Sequence, residues 1–321
     1  MFQLPFLDKI SKCKSILISG CGGGYDVFAG IPIYLALKQM NITVNLANLS
    51  FSHLSHLPES KIDHSIYEVN AETVKPQFYF PEYFLSLYFK EKHKESVTIY
   101  TFPRLGLKPI KKAYKKLTKF LKCDCIITVD GGTDSLMFGD EDGLGTPEED
   151  SISVLSVASC KSVPIKILAC VGFGIDSFHG VCHYQFLENV STLIKEDGFL
   201  GAFSYMKEMA EVKEYIEICD YVFEKTQVSI VNASIVNSIE GKFGGDNSRM
   251  QSRVSNSTLF INPLMSLCWS FDIEKVAKHI LYTKNIENTK TRLEVGNRIN
   301  EFREKLQKEK KIKICEQVLK V

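Results

Sequence analysis

The chain has 321 residues, 45% of them hydrophobic and 24% charged. At about 150 residues per domain this is two domains or one large α/β domain, and the balance excludes disorder, collagen and coiled coil. Its 39 basic residues against 38 acidic ones leave a net charge of +1, so nothing draws it as a whole to nucleic acid or an anionic membrane, and a small-molecule ligand is expected. Ten cysteines spread along a chain of this length read as reduced thiols rather than a secreted disulfide frame. The start, MFQLPFLDKISK, reaches Asp8, Lys9 and Lys12 before any signal-peptide core, so the mature chain is expected to begin here, in the cytoplasm. Even the run Phe28 to Leu37 stops at Lys38, short of the ~20 apolar residues that cross a bilayer.

In chain order, Lys14–Ser19 reads as a strand that opens into glycines, and Val27–Met40 as the helix that follows. A second strand covers Ile42–Leu49. From about 51 to 96 periodicity is lost and Pro58, Pro76 and Pro81 intervene, which predicts an insertion or lid. Val97–Phe102 resumes β character, Lys108–Lys122 is a basic helix with a solvated lysine face, and Cys125–Val129 is a buried strand. A helix near Ile152–Cys160, a strand at Ile165–Val171 and a helix near Phe178–Ile194 continue the alternation. Tyr205–Lys225 reads as an acidic amphipathic helix, Val228–Ile239 leans towards helix, and Ser257–Ile261 is the expected last strand. Asp272 is placed to cap a helix running towards Tyr282, and Arg292–Lys313 reads as a charged surface helix. Apolar strands without inward and outward alternation, separated by helices, predict a parallel sheet covered on both faces. The domain reading is one unit over 1–284 with the insertion at about 51–96, followed by a charged helical tail over 285–321.

Two stretches carry chemistry. Gly20-Cys21-Gly22-Gly23-Gly24-Tyr25-Asp26 lies between a strand and a helix, where glycine amides and a helix N-terminus suit phosphate or sugar oxygens. It is not a dinucleotide fingerprint, because the sixth position from Gly20 is Tyr25 and from Gly22 is Val27, and no Gly-Lys-Ser/Thr follows. With Asn45, Asn48 and Ser50 where a ribose-gripping acid belongs, a nicotinamide enzyme falls to third place. A tight turn without ligand is the plain alternative. Asp26 either caps the helix or meets a ribose, metal or cationic centre.

The second stretch runs from Asp130-Gly131-Gly132-Thr133-Asp134-Ser135 through Gly139-Asp140-Glu141 to Gly145-Thr146-Pro147-Glu148-Glu149-Asp150. Eight of its 21 residues are acidic, and such crowding calls for a cation, an arginine or raised pKa values. Asp130 and Asp134, held by glycines at a strand end, are the expected ligands of a metal such as Mg²⁺, whereas Glu148, Glu149 and Asp150 read as the start of the next helix. His179 is a candidate pocket residue; together with His183 it could share a helix face, but no third ligand for a metal is evident. Cys123 and Cys125 read as core. Arg249, in the glycine-rich run from Gly241, is either an anion clamp or part of a mobile connection.

Taken together, the Gly22-Gly23-Gly24-Tyr25-Asp26 turn and the Asp130 to Asp150 run resemble the domain of unknown function 1152 family, with archaeal, bacterial and some eukaryotic members, from about Lys14 to Asp272. The resemblance implies a Rossmann-like α/β fold, three layers with a mostly parallel sheet and helices on both faces, and brings no activity with it. The expectation is therefore an enzyme, a metal-assisted hydrolase or group transferase, acting on a phosphorylated, nucleotide or nucleoside-type ligand. Gly20, Gly22, Gly23, Gly24, Gly131, Gly132, His179 and Arg249 would contact ligand. Asp130 and Asp134 would hold Mg²⁺, and Asp26 or Glu141 would activate water or the acceptor. No organic cofactor, nucleic acid or membrane partner is expected, and a homo-oligomer stays open. The competing reading is a non-catalytic nucleotide-binding sensor or scaffold.

Overall fold

A computed structural model describes residues 3–74, 79–245, 249–250 and 259–315. Its centre is an eight-stranded sheet in the order β3-β4-β2-β1-β5-β6-β8-β7, made from β1 (Ser15–Gly20), β2 (Thr43–Leu49), β3 (Tyr67–Val69), β4 (Ile99–Phe102), β5 (Cys125–Gly131), β6 (Ile165–Val171), β7 (Phe199–Ser204) and β8 (Leu267–Asp272). The five strands β4, β2, β1, β5 and β6 run parallel. β3, β8 and β7 each pair antiparallel with their neighbours. This is the Rossmann-like three-layer arrangement.

Burial on both faces explains the unbroken apolar strands. Along β5, Cys125, Ile127 and Val129 enter one core with helices α2 (Asp26–Ala29), α3 (Ile31–Gln39), α4 (Pro81–His93), α8 (Ala210–Phe223) and α9 (Ile230–Ile239), joined by Phe6 and Ile10 of α1 (Pro5–Ile10). Ile126 enters the other, with α5 (Leu107–Phe120), α6 (Pro147–Ala158), α7 (His183–Lys195), α10 (Ile273–His279), Ile286 of α11 (Thr283–Ile286) and α12 (Arg292–Lys308).

Several sequence expectations change. Within the expected insertion or lid at about 51–96, of which residues 75–78 lie outside the described residues, the chain supplies edge strand β3 and helix α4, whose Phe84, Leu85, Tyr88 and Phe89 are buried in the core. The tail is likewise docked, because Val295 and Ile299 of α12 are buried against the second core. Of the expected strand Ser257–Ile261, residues 257 and 258 lie outside the described residues, and Ile261 makes only an isolated bridge with Gly244. The last strand among the described residues is β8, and Asp272 at its end caps α10 by accepting from the amides of Glu274 and Lys275. β7 was hidden because Gly201, at φ +105°, and a register shift between Phe199 and Gly201 interrupt its pattern.

Candidate functional site

Chain order reverses at β1. The chain moves outward to β2 and β4 on one side, then returns to β5 and β6 on the other, so the C-terminal ends of β1 and β5 flank a topological switch point, where open α/β sheets form their ligand crevice. A cleft of about 470 Å³ lies there. The turn after β1 brings Gly22 to Gly24 and Asp26, β5 ends in Asp130 and Gly131, the loop after β6 brings Asp176, Phe178 and His179, and the start of α6 brings Thr146 and Asp150. Phe51 and Tyr79 add aromatic surface, and Arg104 stacks on Phe51 at 5.1 Å.

Its floor is made of carboxylates. One oxygen each of Asp26, Asp130 and Asp150 lies within 4.8 Å of the other two. Asp134 and Asp176 also face the cleft, while no lysine or arginine lines it among the described residues. Burial, then the charge of Asp134, pushes Asp26 up to about 7, against the opposing amides of Gly22, Gly23 and Gly131. Asp130, only 2% exposed, is held well above the ordinary carboxylate range by burial and then by Asp134, Asp26 and Asp176. Burial followed by neighbouring carboxylates does the same to Asp150 and Asp176. Three hard oxygen donors under mutual repulsion could hold a divalent cation such as Mg²⁺, Mn²⁺ or Ca²⁺.

The trio differs from the pair Asp130 and Asp134 expected as ligands. Asp130 belongs to it, and its Oδ2 accepts from the Ser135 hydroxyl at 2.5 Å and amide at 3.2 Å. Asp134 does not: its Oδ2 accepts from the amide and hydroxyl of Thr146, at 2.7 and 2.8 Å, and so ties down the start of α6. Asp150 takes the expected place of Asp134. Side chains in a helix lean towards its N-terminus, so an aspartate in the first turn of α6 reaches past the helix end into the cleft; Glu149 instead pairs with Arg292.

The glycine turn also works differently from expectation. The Gly23 amide donates to Asp26 Oδ2 at 2.8 Å and the Gly24 amide to the Leu49 carbonyl at 3.0 Å, so these donors are engaged inside the protein. What Gly22 contributes is space beside Asp150 and Asp26. Gly131 likewise lets Asp26 approach, Gly132 abuts the Asp176 carboxylate outside the cleft lining, and Gly20 packs against Asn48 within the fold.

Two proposed site residues are elsewhere. Glu141, 1% exposed, accepts from the amides of Phe138 and Gly139 at 2.9 and 2.8 Å and from Asn189 at 2.6 Å; it organises its own loop. Arg249 is bound to Asp220 through two hydrogen bonds and to Glu240, away from the cleft lining. His179 does line the cleft, but it sits in a 3₁₀ turn, Ile175–His179, whereas His183 begins α7, so the two share no helix face. Asp176 was missed, although it resembles Asp130 in following a buried strand within a glycine-flanked loop.

The family described as "Protein of unknown function (DUF1152)" matches residues 61–309. The chain belongs to the DUF1152 family. That match takes in Asp130, Asp150 and Asp176 as well as α12, and leaves the turn carrying Gly22 to Asp26 outside it. Neither a curated protein nor a solved structure matches the chain.

Proposed function

We propose that this DUF1152 protein is a metal-assisted hydrolase or group transferase acting on a small phosphorylated ligand of nucleotide or nucleoside type. The observation that carries the reading is the convergence of Asp26, Asp130 and Asp150 within 4.8 Å, in a cleft without a lining lysine or arginine among the described residues. Bare phosphate would be repelled by this floor and finds no free amide at Gly23 or Gly24. Asp26, Asp130 and Asp150 would hold a divalent cation that offsets most of this charge and gives a phosphoryl oxygen a direct ligand; when bound it would polarise that oxygen and acidify a bound water. The protein's part is to fix the three carboxylates, to exclude water and to move a proton. Asp176 and His179 are the remaining titratable groups of the lining suited to that transfer. Phe51, Tyr79 and Phe178 offer flat apolar faces to a base or sugar, and the cleft volume suits a ligand of that size.

The test is a thermal-shift screen of Mg²⁺, Mn²⁺ and Ca²⁺, each alone and with nucleotides, nucleosides and sugar phosphates, followed by product analysis for any pair that stabilises the fold. Ligand shifts that require the divalent cation, accompanied by turnover, support the reading. Stabilisation without turnover would instead favour a binding sensor, and absence of any cation-dependent shift would refute the metal site.

A further inference from the structure

We propose that Cys182 and Cys315 form a reversible disulfide that fixes the outer wall of the carboxylate cleft, so that thiol redox state regulates it; in calling this regulation of an active site, the proposal rests on the function proposed above. The two cysteines are 133 residues apart in sequence, yet are bonded to each other with Cα atoms 6.1 Å apart. The expectation of reduced thiols fails for this pair alone, because the other eight cysteines are buried free thiols.

The position of Cys182 gives the bond its consequence. It is the N-cap of α7 and closes the segment that begins at Gly174 and carries Asp176, Phe178 and His179 into the cleft. Ser177 to Gly180 are exposed, with Phe178 51% exposed. The segment is tied by the Val181 amide on the Asp176 carbonyl at 3.2 Å and the Thr133 amide on the Asp176 carboxylate at 2.7 Å. Against its outer side lies the loop over 139–143, packed so closely that a Cβ on Gly143 would overlap the Gly180 carbonyl.

A C-terminal strap lies on that loop in turn. The Lys313 amide donates to the Asp140 carbonyl at 2.7 Å, the Cys315 amide to Asp142 Oδ2 at 3.0 Å, and Gln185 to the Lys313 carbonyl at 2.6 Å. The strap therefore touches both the loop, through Asp140 and Asp142, and the start of α7, through Gln185, and the Cys182–Cys315 bond joins it directly to the end of the wall. Reduction by a dithiol breaks the S–S bond, places one proton and one electron on each sulfur, and leaves the reductant as its own disulfide. Exchange with an oxidised thiol compound reverses it. With the bond open, the strap retains its hydrogen bonds and the Lys313–Asp140 ion pair, and the cross-link between wall and strap is lost.

The experiment uses the full chain, oxidised with glutathione disulfide or reduced with dithiothreitol. Thiol alkylation with mass mapping should show Cys182 and Cys315 protected in the first state and labelled in the second. Hydrogen exchange across residues 172–182 should then be faster in the reduced protein, on the order of tenfold, and Cys315→Ser should exchange at the fast rate in both states. Titration with Mn²⁺ should give a several-fold weaker apparent affinity in the reduced form. Equal exchange rates in the two states, once mapping has shown the bond to open and close, would overturn the proposal, as would labelling of both cysteines after oxidation. Because exchange is read without metal, a protein that loosens on reduction but binds no Mn²⁺ would support the redox-controlled wall and refute the metal reading separately.

Discussion

Gly22 stands directly against Asp150. A Cβ placed on Gly22 would overlap Asp150 Oδ1 and lie 2.9 Å from Asp26 Oδ2, so the absence of a side chain there is what lets two carboxylates from distant parts of the chain converge. Gly22→Ala should therefore spread the trio. Its overpacking is expected to cost on the order of 1–3 kcal/mol, and the Mn²⁺-dependent rise in melting temperature should disappear. A full metal shift in this variant would mean that Asp150 is not a ligand.

Asp130→Asn preserves shape while removing one charge from the most crowded part of the floor. Burial and three neighbouring carboxylates already oppose its ionisation, so the metal-free variant should melt at the same temperature as the parent or higher. Its metal-dependent shift should be lost. A lowered melting temperature with an intact metal shift would make Asp130 a structural acceptor for Ser135 alone.

Glu82 gives the fold a pH dependence separate from the trio. It is fully buried in the first turn of α4, accepts from Asn48 at 2.8 Å, and leaves its Oε2 without a hydrogen-bond partner. Burial pushes its carboxyl from 4.5 up to about 7. Below pH 4.5 both folded and unfolded chains hold the proton. Between 4.5 and about 7 the unfolded chain releases it first, so stability falls as pH rises, by on the order of 3 kcal/mol for this group at about 1.4 kcal/mol per pH unit. Glu82→Gln should flatten this part of the profile and be more stable than the parent at pH 8. Urea unfolding of both proteins at pH 5 and pH 8 measures the difference; parallel profiles would contradict it.

Glu141→Ala distinguishes structural from catalytic carboxylates. Removing the acceptor for Phe138, Gly139 and Asn189 leaves buried donors unpaired, at about 1–3 kcal/mol for each such group. Melting temperature should fall clearly while the metal-dependent shift survives. Loss of that shift without a stability change would return Glu141 to the site.

The residues themselves determined the alternation of strands and helices, the Asp272 cap, and the placement of Asp26 and Asp130 at strand ends, because each of these depends on local pattern: apolar runs that end in glycine and acid beside a helix start. Tertiary structure decided which acids meet. Asp150 reads as an ordinary first-turn helix acid until α6 is docked with its N-terminus at the end of β5, and Asp176 counts only because β6 lies next to β5. Asp134 and Glu141 carry the same charge in the same acidic run, yet amides and hydroxyls brought in by folding occupy them. The Cys182–Cys315 pair, separated by 133 residues, left no local mark. Charge and periodicity are properties of neighbours in sequence, whereas a ligand set is fixed by distances in space, and those exist only once the sheet order has placed the strand ends side by side.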